Sequence, residues 1–154
     1  MSIKVEESVL HIEYKKMDDI PVYVKKISDQ YEGEIKDRIG FNFPMEFVEK
    51  NDKKVYGDMI KKYGDIKYVI VYKKGDVLTK KHELCHAKYA LDKDYKKKVL
   101  LLWDSLGKKY KDGVLKMLKN MNYPDNMDIL IDEFQAYFYT EKSGFFGKMW
   151  KIIR

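Results

Sequence analysis

Apolar and polar residues alternate over residues 8–14, SVLHIEY, where Leu10, Ile12 and Tyr14 interleave with polar neighbours. That is the period of a half-buried strand. The following DDIPVYVKKISDQYE predicts a helix over 19–32, with Asp18 or Asp19 as cap, Pro21 in the first turn and Gly33 as its end. Residues 34–43 carry no clear period and leave room for a short strand, and 44–63 mix short helical patterns. DIKYVIVYKK, 65–74, is the clearest strand, rich in β-branched and aromatic residues and closed by Gly75-Asp76. A capped helix over 78–92 comes next, and from there the pattern is helical: 94–110, 111–121, and a helix opened by Pro124 in PDNMDILIDEFQAYFYTEK. Strands before residue 75 and helices after it indicate an α+β fold. The expected organisation is one domain over 1–154, with a sheet, backing helix and histidine-bearing helix in 1–92 and an all-helical half in 93–154.

Composition narrows the class. With 45% hydrophobic and 36% charged residues, the 154-residue chain has the balance of a soluble folded protein with one core. The longest apolar runs, YVIVY and VLLLW, are too short to span a bilayer, and the start has no secretory pattern. A single cysteine, Cys85, excludes an intramolecular disulfide and fits a reducing cytoplasm, the expected location. The net charge of +6 invites a nucleic-acid partner, but 29 of the 31 basic residues are lysines, with only Arg38 and Arg154 as arginines. Base reading and bidentate phosphate contacts favour arginine, so no specific nucleic-acid binding is expected.

The chemistry concentrates in KKHELCHAKY, residues 80–89. His82 and His86 are four apart and share one face of a helix, so both imidazoles can reach one ion. Zinc takes imidazole nitrogen at about 2.0–2.1 Å and prefers four ligands. Glu83, next round the helix, is aimed at the open position rather than at the metal. The plainer reading is a core helix with two hydrogen-bonded histidines, so the question is whether a third ligand exists. In ILIDEFQAY, Glu133 shares its helical face with Ile129, Leu130, Ala136 and Tyr137, among side chains that are buried. Metal coordination is one of the few ways to compensate a buried carboxylate, a lysine pair being another. Asp132 reads as solvent-facing or as a partner for a histidine N–H. His11, on an early strand, reads as structural, and Cys85 as a small core residue.

The strand–helix order, HELCH and the glutamate of DEFQAY resemble the gluzincin branch of the zincin metallopeptidases, and in size the short soluble minigluzincins. The resemblance spans residues 65–140. It implies a zincin-like fold, a zinc ion on His82, His86 and Glu133, and Glu83 as general base and acid. It also implies a sheet whose edge strand aligns extended substrate, and IKYVIVY fits such a sheet without declaring itself the edge. Two features depart from the pattern. Where many gluzincins carry a histidine-orienting aspartate four residues after the ligand glutamate, this chain has Tyr137, and helices over 94–121 lengthen the gap between the motifs.

The expected activity is that of a zinc metalloendopeptidase acting on a protein or peptide substrate. Tyrosine suits an oxyanion donor, with Tyr137 favoured over Tyr139, Tyr123 and Tyr89. The tail GFFGKMWKIIR would form a basic amphipathic helix. Its default is docking on the domain's own core, with membrane-surface contact, self-association or autoinhibition in the cleft as alternatives. Two other functional classes compete: a zincin-like metal-binding domain acting through a protein or nucleic-acid partner, and a helical module with an accidental motif.

Overall fold

Two strands open the chain. β1 (Ser2–Glu6) and β2 (Val9–Tyr14) form an antiparallel hairpin whose turn residues, Glu7 and Ser8, both have positive φ, 48° and 66°. Such a turn follows the natural twist of the strands but favours glycine and asparagine, so Glu-Ser gives no sequence signal for it. The structure, a computed structural model, describes residues 1–35, 37–51, 53–141 and 145–146.

The strand expected over 65–74 narrows to β4 (Tyr68–Lys73), which pairs parallel with β2 and antiparallel with the short β3 (Phe41–Pro44). The sheet order is β1-β2-β4-β3. The strand leading into the histidine helix is therefore interior, and β3 is the edge beside it. Alternation sorts the two faces. Leu10, Ile12, Phe43, Val69 and Val71 form a core with α1 (Val22–Glu32), α2 (Met45–Asn51) and α3 (Lys53–Lys61). Val9, Tyr68, Ile70 and Tyr72 face the other way, onto Leu84 and Ala87 of α4 (Val77–Leu91).

Beyond α4 the chain is helical: α5 (Lys93–Ser105), α6 (Lys108–Asn120) and α7 (Met127–Thr140). They enclose a second core around Trp103, Leu118, Leu130 and Phe134. The architecture is α+β, a four-stranded sheet followed by helices, with seven α-helices among the described residues.

Helix boundaries also differ from the sequence reading. The first helix begins at Val22, with Pro21 at its cap, because Asp19 instead closes a 3-10 turn over Met17–Asp19 by accepting from the Lys16 amide at 3.0 Å. The helix expected over 94–110 ends at Ser105, where Leu106 turns extended and α6 starts afresh after Gly107. The last helix starts at Met127 rather than at Pro124. Asn126 caps it by accepting from the Asp128 and Ile129 amides, a stronger start signal than proline. Among the described residues, no helix is long and apolar enough to cross a membrane.

Candidate metal centre

Gly75, at φ 85°, turns the chain out of β4, and Asp76 caps α4 by accepting from the Thr79 amide at 3.0 Å. That cap fixes where the first turn of α4 begins, and with it the face that carries His82 and His86. α7 packs along α4 and brings Glu133 to the same point.

The three side chains converge. His82 Nε2 lies 3.3 Å from His86 Nε2, Glu133 Oε1 lies 3.5 Å from His86 Nε2, and Glu133 Oε2 lies 3.7 Å from His82 Nε2. Ligands at about 2.0–2.1 Å on the corners of a tetrahedron stand about 3.3–3.4 Å apart, so these edges are of the size a metal ion would need.

Hydrogen positions strengthen the fit. His86 Nδ1 donates to Asp132 Oδ1 at 2.8 Å. His82 Nδ1 lies 3.4 Å from Thr140 Oγ1, whose own hydrogen goes to the Ala136 carbonyl at 2.6 Å, so this contact also uses an Nδ1–H. With both imidazoles neutral, the two Nε2 lone pairs then face each other. Glu133 adds a third acceptor, and its buried Oε2 has no hydrogen-bond partner. Three acceptors gathered around one point call for positive charge among them, either a metal ion or a proton on His86 Nε2.

The titration directions agree. Burial pushes His82 down to about 4, so it is neutral and free to ligate. Burial also disfavours a charged His86, but the Asp132 and Glu133 carboxylates outweigh it and hold His86 well above the usual range. In the metal-free protein the His86 proton stands in for a cation. Burial raises Glu133 above an ordinary carboxylate, against the opposing pull of His86.

Asp132 is buried and faces His86, not solvent. Gln135 Nε2 donates to its Oδ1 at 3.0 Å, and the Tyr95 hydroxyl donates to Gln135 Oε1 at 2.6 Å. A chain of side chains from α5 thus orients the imidazole. The position four after Glu133 is Tyr137, and the residue just before Glu133 contacts His86 instead.

A cleft of about 270 Å³ opens beside the cluster, lined by Glu32, Arg38, Glu83, Tyr123 and Tyr137 among others. Glu83 is 4% exposed, and burial raises its carboxyl to about 7. Of the four candidate tyrosines, the cleft takes Tyr137 and Tyr123, whose hydroxyls are 2.9 Å apart. Burial lifts both phenols above their usual range, so they stay protonated donors. Tyr139 is half exposed and Tyr89 donates to Asp128.

His11 lies on β2, hydrogen-bonded to the Tyr72 hydroxyl at 3.0 Å. Cys85 is half-buried, and burial raises its thiol. Of the tail, Phe145 stacks on Tyr137 at 4.6 Å and Phe146 packs on Phe134. Residues 147–154, which carry the basic amphipathic pattern, lie outside the described residues.

Sequence reasoning missed Glu32, Arg38 and Asn42. Glu32 had the same signal as Glu133: it falls on the buried face of α1 with Val24, Ile27 and Ser28. Asn42 shows only as a polar residue inside FNFP. The chain matches no known protein family, curated protein or solved structure.

Proposed function

We propose that this protein is a zinc-dependent metalloendopeptidase that hydrolyses peptide bonds in protein or peptide substrates. The observation that carries the reading is the convergence of the two Nε2 atoms with the Glu133 carboxylate, with Glu83 buried alongside. A zinc ion held there would polarise a substrate carbonyl and acidify a water at its open position. Glu83 accepts the proton of the attacking water and returns it to the leaving amine. Burial raises the Glu83 carboxyl above an ordinary one in the metal-free protein, a direction that favours its taking up a proton. Tyr137 or Tyr123 donates to the oxygen on which charge develops. β3, the edge strand at the cleft, offers unpaired backbone groups along which an extended peptide can lie.

Glu83→Gln tests the reading against a metal site without catalysis. Purified wild type should bind one zinc, lose it in His86→Ala, and cleave casein. Glu83→Gln should keep the zinc and lose cleavage by about 10²-fold or more. Equal cleavage by wild type and Glu83→Gln would refute the enzyme.

A further inference from the structure

Glu83 does not depend on its own helix alone for its orientation. Asn42, at the middle of β3, reaches it across the cleft floor, and three hydrogen bonds meet on the Asn42 amide. Its Nδ2 donates to Glu83 Oε2 at 2.9 Å and to Glu32 Oε1 at 2.6 Å, while its Oδ1 accepts from the Tyr68 hydroxyl at 2.7 Å. The four side chains are between 0% and 4% exposed. With the two acids ionised, the reverse orientation would set the amide oxygen against both carboxylates and lose both donations. Glu32 is anchored in turn by Arg38, whose Nη2 lies 3.3 Å from Glu32 Oε2 and donates to the Gly33 carbonyl at 2.8 Å. From the other side, Gly40 abuts Glu83 so closely that a Cβ there would overlap Oε1.

We propose that Asn42, oriented by Tyr68 and Glu32, is a positioning residue that sets the plane and depth of the Glu83 carboxylate in the cleft. The chain has 29 lysines, and one of them could have held this buried acid. A lysine would also lower its pKa and weaken it as a base, whereas a neutral amide orients it without adding charge. A glutamate has three free torsions, and a misplacement of about 1 Å at a reacting group can cost about 10²-fold in rate. The clamp removes that freedom. Its kinetic consequence rests on the peptidase reading; its structural consequence does not.

The test uses the full chain with zinc, in wild type, Asn42→Ala and Tyr68→Phe. Asn42→Ala should lower kcat by about 10²-fold, with KM and zinc affinity changed by less than about twofold, and a crystal structure should show the Glu83 carboxylate displaced. Tyr68→Phe keeps the ring and removes only the hydroxyl, so kcat should fall by about three- to tenfold with the same split. An unmoved Glu83, an unchanged kcat, or zinc affinity falling in step with kcat would overturn the proposal. If Asn42→Ala does not fold, Tyr68→Phe decides by the same criteria. If wild type cleaves nothing, the peptidase reading fails by itself. Glu83's place in the variant crystals then decides the clamp.

Discussion

An imidazole presents its lone pair to a metal only if its hydrogen is held on the other nitrogen. Asp132 does this for His86 and Thr140 for His82, by contacts of 2.8 and 3.4 Å. The first is shorter and charge-assisted, so most of the ordering lies on the His86 side. Asp132→Asn should therefore weaken zinc binding by about 10- to 100-fold while leaving the circular dichroism unchanged, as a competitive zinc titration would show. A variant that binds zinc as tightly as wild type would leave Asp132 without that function. Gly40→Ala probes the other half of the site. Its methyl would displace Glu83 and sit 2.7 Å from Thr79 Cγ2. The zinc-loaded variant should keep its metal and lose kcat by about tenfold or more. Unaltered turnover would mean that Gly40 does not confine Glu83.

Elements differ in how plainly they show in the sequence. β2 is visible because its apolar positions alternate, and β4 because a strand buried on both faces reads as a run of β-branched and aromatic residues. α4 shows by its cap and by two histidines four apart, and α7 by one long run of buried residues around Glu133. The candidate metal cluster was legible because three side chains on two helices need only two face assignments. The clamp on Glu83 was not, because it joins α1, β3, β4 and α4 over sequence separations of up to 41 residues, and no local pattern encodes such a meeting. β1 was missed because its turn has the wrong residues for its shape. Replacing Glu7 and Ser8 by Asn-Gly would supply residues that take positive φ without strain. That double change should stabilise the fold by about 0.5–1 kcal/mol, read as a rise in denaturant midpoint at constant m. A lower midpoint would mean that the native side chains contribute more than the turn costs them.

Over the whole molecule, the cleft gathers more buried acid than its own bases neutralise. Glu32 faces Arg38 from its own side, Glu133, Asp132 and His86 from the helical half, and Glu83 across Asn42. Burial, then the Glu133 charge, raises it to about 8. An acid whose folded pKa lies above its unfolded value stabilises the fold fully below the unfolded pKa. That contribution disappears as pH rises through the folded one. The metal-free protein should accordingly lose stability between about pH 4.5 and pH 8, by up to about 1.4 kcal/mol per pH unit for one proton. Glu32→Gln should flatten that slope in chelator-treated protein. A slope unchanged by the substitution would place the titration on another group.

Zinc bound to the folded chain alone should raise the melting temperature in proportion to the logarithm of its concentration. The most direct measurement, however, is anomalous scattering at the zinc edge from a crystal of the full chain grown with the metal. One peak should lie between His82 Nε2, His86 Nε2 and the Glu133 carboxylate, at about 2.0–2.2 Å from each. If zinc is in excess yet no peak appears there, and the two Nε2 atoms have turned apart into packed side chains, the site is not a metal centre and the peptidase falls with it.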